Sequence, residues 1–89
     1  MEISFSSSFR KALRKRLKGA ATEEVFWKTV EVFIKNPFEP KLKTHKLSGN
    51  LKGLWSFSLG YDLRIVFYFT KDKPQKAVFV DIGTHDEVY

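Results

Sequence analysis

Leu63-Arg64-Ile65-Val66-Phe67-Tyr68-Phe69 decides the fold. Leu63, Ile65, Phe67 and Phe69 alternate with Arg64, Val66 and Tyr68, the period-two pattern of a strand. Apolar residues on both faces predict a central place in a sheet. A guanidinium between apolar neighbours is costly unless its head reaches water or an anion. Arg64 is therefore expected either to pair with Asp62 or Asp81, or to act as a phosphate clamp on an uncovered face. Upstream, Trp55, Phe57 and Leu59 alternate with Ser56 and Ser58 as a second strand, and Gly60-Tyr61-Asp62 turns it. Downstream, Thr70 to Gln75, with its Lys-Asp-Lys-Pro, reads as a hairpin loop, and Lys76 to Ile82 returns as the last strand.

Before this meander the period changes. Glu2 to Phe5 reads as a short strand, followed by a helix from Ser7 or Ser8 with serine N-caps. Phe9, Leu13 and Leu17, with Ala12, share one face of that helix; Arg10, Arg14 and Lys18 share another. Gly19 is expected to end it. Thr22, Glu23 and Glu24 begin a second helix, with acids at the positive end of its dipole. Phe26, Val30, Phe33 and Ile34 form its apolar stripe, and Asn36-Pro37-Phe38-Glu39-Pro40 stops it. Lys41 to Gly53 is a lysine-rich connector, part of which pairs as an edge strand. The fold class is α+β: a strand, a two-helix hairpin, then an antiparallel three-stranded meander, with the helices on one face of a small sheet. The opposite face is expected to have no helix over it, and residues 1–89 to form one domain.

Composition narrows the function classes. With 89 residues, 43% of them hydrophobic, and nine Phe, the chain can bury one core but not two. The absence of cysteine excludes disulfides and thiolate metal sites. No run is long enough to span a membrane and no apolar block opens the chain, which predicts a soluble, cytoplasmic protein. A net charge of +6 favours a polyanionic partner. Arg10, Lys11, Arg14, Lys15, Arg16 and Lys18 cluster without an intervening acid. Such cations neutralise phosphates and carry little sequence information.

Chemistry concentrates in the tail, Ile82-Gly83-Thr84-His85-Asp86-Glu87-Val88-Tyr89. A histidine at a strand end can move protons near neutral pH. Tyr89, following the last strand, is expected to be free to stack on a base or to hydrogen-bond near His85; Asp86 and Glu87 read as cap and surface residues. Trp55, Phe57, Tyr61 and Tyr68 alternate along strands and read mainly as core. His45 lies near glycine at the sheet margin. If His45, His85 and Arg64 reach one face, they supply a base, an acid and a cation for phosphodiester cleavage. No spacing of metal ligands, phosphate-cradling glycine loop or nucleophile elbow is present, so no metal or other cofactor is expected.

His45-Lys-Leu-Ser-Gly49, Leu51-Lys-Gly53, Leu63-Arg-Ile-Val-Phe-Tyr68 and Ile82-Gly-Thr-His-Asp-Glu-Val-Tyr89 resemble the RelE/ParE toxin superfamily, and within it the YafQ-like branch of RelE-type messenger-RNA interferases. The resemblance spans the whole chain. It implies a RelE-like fold and a ribosome-dependent endoribonuclease of a type II toxin–antitoxin pair, whose partners are a cognate antitoxin and the messenger and ribosomal RNA of the ribosomal A site. Position by position, it implies catalytic roles for His45, His85 and Asp62, a terminal aromatic at Tyr89, and at Arg64 an arginine found in other RelE-type toxins. Arg10, Lys11, Arg14, Lys15, Lys18, Lys46 and Lys52 are the expected RNA and ribosome contacts. Two positions depart from the branch: Ser58 stands where it has a further histidine, and Leu63 replaces a tryptophan. Relative to RelE, His85 replaces an arginine, which favours imidazole acid–base chemistry. A ParE-like gyrase poison, or a toxin reduced to binding its antitoxin, are the alternative readings.

Overall fold

A computed structural model describes residues 1–17, 19–60 and 62–89. Lys18 and Tyr61 therefore lie outside the described residues. The elements are β1 (Glu2–Phe5), α1 (Ser7–Arg16), α2 (Ala20–Lys35), β2 (His45–Lys46), β3 (Trp55–Leu59), β4 (Leu63–Phe69), β5 (Lys76–Thr84) and α3 (His85–Val88), with single 3-10 turns at Pro40–Leu42 and Gly49–Leu51. The sheet has five strands in the order β1-β5-β4-β3-β2, which puts β4 at its centre. β1 pairs parallel with β5, and the other neighbours are antiparallel. The edge strand expected in the lysine-rich connector is β2, only two residues long.

Local chemistry explains the helix ends. Ser6 Oγ accepts a hydrogen bond from Phe9 N at 3.1 Å and caps α1. Glycine at position 19 starts α2 instead of ending α1. Its φ of 111° suits a residue without Cβ, so α2 begins at Ala20, ahead of Thr22, while α1 stops at Arg16. Among the described residues, no helix is long and apolar enough to cross a membrane.

The strand registers sort side chains onto two faces. Phe57 pairs with Ile65, Ile65 with Ile82, and Phe67 with Phe79. That face meets both long helices: Phe33 of α2 lies 4.8, 5.1 and 5.3 Å from the rings of Phe57, Phe67 and Phe79, and Phe9 of α1 lies 5.5 Å from Phe79. Six phenylalanines, Phe9, Phe26, Phe33, Phe57, Phe67 and Phe79, are fully buried there. A register irregularity opposite Val66 and Phe67 places Val80 out of step. The alternation of β5 changes phase at that point, so Phe79 and Ile82 both join the core and Asp81 and Gly83 point to the other face.

The second face differs from expectation. His45, Ser56, Val66 and Asp81 form one rank across β2, β3, β4 and β5, and Ser58, Arg64 and Gly83 form the next. β5 continues past Ile82 to Thr84, and α3 then folds back over Gly83, at whose position a Cβ would stand 3.0 Å from Val88 Cγ1. One end of this face is thus covered by a single helical turn. Val66 and Ser56 beneath it are buried.

Candidate active site

The tail is held by a set of polar ties. Thr84 Oγ1 accepts from Glu87 N at 3.4 Å and Glu87 Oε1 accepts from Thr84 N at 2.8 Å, a reciprocal capping box that starts α3. The spelling Thr84-His-Asp-Glu87 carries this motif in the sequence. The other Glu87 oxygen accepts from Arg16 Nη2, so one cation of the basic cluster is bound to the tail. The Thr84 backbone N–H, and after it the Arg16 guanidinium, hold the Glu87 carboxyl below the usual carboxylate range.

Tyr89 is not free. Its hydroxyl donates to Ser56 Oγ, and Ser56 is the sole buried polar side chain among the described residues. The Tyr89 ring meets the His85 ring edge-on, with centroids 4.5 Å apart. It meets His45 in the same manner at 6.1 Å. His45 stands beside Ser56 because β2 and β3 pair in that register. Two histidines remote in the chain therefore flank one phenol. A cleft of about 360 Å³ opens between them, lined by His45, Lys46, Leu47, Ser48, Leu51, His85 and Tyr89.

The two imidazoles have different neighbours. His45 Nδ1 lies 2.9 Å from the Lys43 carbonyl oxygen. A carbonyl only accepts, so Nδ1 carries the proton and Nε2 is left as the lone pair of the neutral ring. His85 Nδ1 lies 3.5 Å from Asp86 Oδ1. A carboxylate there gives a protonated His85 a counter-charge. Asp86, read from the sequence as a surface residue, is exposed but stands beside the histidine.

Other expected site residues are elsewhere. Arg64 shares the sheet face of Ser56, but its Nη1 donates to Ser58 Oγ and to the Leu63 carbonyl, both at 3.1 Å. Neither Asp62 nor Asp81 is its partner, and for Asp81 the register explains why. Ser58 is directly opposite Arg64 on β3, while Asp81 belongs to the next rank and accepts from Ile82 N at 2.8 Å. Asp62 borders a separate apolar cavity of about 500 Å³ formed with Thr22, Val25, Leu59 and Leu63. Arg10, Lys11, Arg14 and Lys15 are exposed on α1. Lys46 is exposed at the cleft, its Nζ 5.5 Å from the Trp55 ring centroid, and Lys52 follows the Gly49–Leu51 turn. Among the described residues, no group of three or more histidines and carboxylates converges as a metal site.

The fold and site can be set beside known proteins. Residues 1–89 match the family model described as the bacterial toxin of type II toxin–antitoxin systems, YafQ. The structure is similar to YafQ from E. coli strain BL21(DE3), with a TM-score of 0.74 at 22% identity, covering 99% of this chain and 97% of that one. It is similar to an E. coli DinJ–YafQ complex, with a TM-score of 0.66 at 22% identity over 99% and 97% of the two chains. A metal-bound toxin from Helicobacter pylori gives a TM-score of 0.72 at 28% identity over 99% and 98%. Among curated proteins, none matches the sequence significantly.

Proposed function

Because this chain belongs to the YafQ family of type II toxin–antitoxin toxins, we propose that it is a ribosome-dependent endoribonuclease that cleaves messenger RNA in the A site. The observation that carries this reading is the convergence of His45 and His85 on Tyr89 at one cleft. A structural role for either histidine does not require the other to be there.

In the reaction His45 Nε2 takes the proton of the 2′-hydroxyl, since the Lys43 carbonyl holds the proton on Nδ1. The 2′-oxygen bonds to phosphorus, the bond from phosphorus to the 5′-oxygen breaks, and His85 gives its proton to that leaving oxygen. The products are a 2′,3′-cyclic phosphate and a 5′-hydroxyl. Asp86 balances the imidazolium charge of His85 before the transfer. Arg64, one rank along on the same sheet face and outside the cleft, supplies a cation to that face, whereas the Lys46 side chain lies on the opposite side of β2, over Trp55. Tyr89, pinned through its hydroxyl, offers its ring to orient a base. Asp62, in its separate cavity, is assigned no proton transfer.

The α1 cations Arg10, Lys11, Arg14 and Lys15 dock on ribosomal RNA, and an antitoxin with acidic or amphipathic segments covers them when the toxin is held inactive. The E. coli DinJ–YafQ toxin–antitoxin complex is the precedent for an antitoxin partner. A ribosomal substrate places the protein in the cytoplasm.

The test is translation of a defined message with mapping of 3′ ends by primer extension. Codon-phased cuts should appear with the unaltered protein. They should fall about 10²- to 10⁴-fold in His85→Ala, with the fold intact by circular dichroism. Supercoiling inhibition by gyrase poisoning without cuts would overturn the reading. Affinity capture with the product of the neighbouring reading frame checks the antitoxin, and no recovery counts against it.

A further inference from the structure

The His45–His85 cleft does not end at β2. Lys46, Leu47 and Ser48 line it and also line a larger groove of about 700 Å³ on the far side of the strand. Strand geometry produces this arrangement. Successive side chains of β2 point to opposite faces, so His45 sides with Ser56 on one face and Lys46 with Trp55 on the other. β2 and the Gly49–Leu51 turn therefore form a rim with the catalytic cleft on one side and the groove on the other.

We propose that this groove is a second nucleotide subsite, which holds the base and phosphate of a messenger nucleotide flanking the one that is cut. The inference rests on the ribonuclease reading and adds to it where the neighbouring nucleotide lies. Its wall holds Lys46, Lys52, Trp55, Phe69 and Gln75, and no carboxylate is among its lining residues. The volume falls within the range of small-ligand pockets, roughly 300–1,000 Å³. Each ingredient has a nucleotide counterpart. The two lysines suit a phosphate. Trp55 is only partly buried and is braced edge-on by Phe38 and Phe69, with centroids 5.5 and 5.3 Å away. A fixed indole of this kind is a stacking platform for any base once the Lys46 ammonium, 5.5 Å from its ring centroid, swings from the ring to a phosphate. Gln75 is exposed in the loop before β5, and its amide carries both a donor and acceptors, the complement of a base edge.

An antitoxin segment is the rival occupant. Continuity with the cleavage cleft favours RNA, because a strand engaged at His45 and His85 has to leave over one rim or another, and this one leads directly to two lysines, Lys46 and Lys52.

Trp55 and Trp27 are the only two tryptophans, which supplies a direct probe. Trp27 is half exposed on α2 and is absent from the groove, so Trp27→Phe leaves Trp55 as the single emitter. The ligand is a hexaribonucleotide methylated at every 2′-oxygen, which cannot be cut. It should quench Trp55 saturably, with an affinity matching the anisotropy of the same oligonucleotide carrying a fluorescein label. Lys52→Ala should weaken binding severalfold and flatten the slope of log K against log salt by about 0.7, the value for one phosphate on a single strand. Gln75→Ala should redistribute the cuts among codons in the translation assay. Binding by anisotropy with no quench of Trp55 overturns the subsite while leaving the ribonuclease reading intact, and so does failure of the oligonucleotide to bind at millimolar concentration. A quench by the neighbouring frame's protein, with none by RNA, assigns the groove to protein docking and overturns the proposal. Quenching by RNA in a protein that never cuts a message would support the subsite and remove the ribonuclease reading.

Discussion

The two faces of the sheet are built on opposite plans. Toward α1 and α2, Phe33 touches three other phenylalanine rings, and each of those touches further aromatic rings. On the other face a single turn of helix is held by separate contacts: the Thr84–Glu87 box, the Arg16–Glu87 pair, Val88 on Gly83, and Tyr89 on Ser56. An interlocked aromatic layer is close-packed, so deleting one member leaves a cavity that its neighbours fill only partly. Separate contacts instead fix where a few side chains stand. Damage to the first face should register as stability, and damage to the second as activity.

The largest expected effect tests the first half of that contrast. Phe33→Ala removes a fully buried ring from the centre of the layer and should cost about 3–5 kcal/mol. A domain of this size holds roughly 4–13 kcal/mol in total. Urea denaturation should show a much lower midpoint with an unchanged slope. A loss below about 1 kcal/mol would mean that the layer repacks and that the contrast between the faces is wrong.

Gly83→Ala comes next and addresses the other face. The added methyl would stand 3.0 Å from Val88 Cγ1 and 3.2 Å from Glu87 Cβ, so α3 must move by a few tenths of an ångström. Overpacking of this kind costs about 1–3 kcal/mol. The displacement also carries His85 and Tyr89, so cleavage should fall about tenfold in a protein that remains folded. Equal losses in Gly83→Ala and in a core variant of matched stability would remove the distinction.

The legibility of the two faces in the sequence follows the same division. Alternation over Leu63–Phe69 and the stripe Phe26, Val30, Phe33 are repeated signals, and the strand and helix they announce are present, although Ile34, read into the same stripe, is exposed. Features of the second face are each carried by one or two residues. β2 and α3 are too short for any periodicity to show, although Thr84-His-Asp-Glu87 spells a capping box. The phase change at Val80 shows in the sequence only as Asp81, which strict alternation from Ala77 and Phe79 would put in the core in place of Ile82. Pairings between remote residues, Arg16 with Glu87 and Ser56 with Tyr89, depend on register and chain path. Arg64 makes the same point: its neighbours in sequence suggested an acid, and its neighbour across the strands is the Ser58 hydroxyl.

The tie between Tyr89 and Ser56 predicts a smaller, asymmetric effect. Tyr89→Phe leaves Ser56 Oγ buried without a partner, whereas Ser56→Ala leaves a phenol that is 39% exposed and can turn to water. An unsatisfied buried polar group costs about 1–3 kcal/mol, and a made hydrogen bond is worth about 1 kcal/mol net. Tyr89→Phe should therefore be the more destabilising of the two, and adding Ser56→Ala to it should recover part of the loss in a double-mutant cycle. Additive losses would show that the two hydroxyls act independently.

The smallest expected effect concerns the exposed Arg16–Glu87 pair, and its sign in pH is fixed. The Glu87 carboxyl is held below its ordinary value of 4.5 by the Thr84 N–H first and Arg16 second. A depressed folded-state value stabilises the folded state in full above the unfolded value. That contribution is lost as pH falls through the folded one. The pair is therefore intact at neutral pH, and docking of α3 loosens only in acid. Glu87→Gln should flatten this acid limb of the stability curve and leave little change in its shape near pH 7. Arg16→Ala should raise the Glu87 titration, followed by NMR at its carboxyl carbon, but not back to 4.5, because the larger cause is the backbone donor at the cap. A full return to 4.5 would show that α3 is held at Glu87 by the distant helix and that the cap contributes nothing, so that the second face would depend on α1 as the first one does.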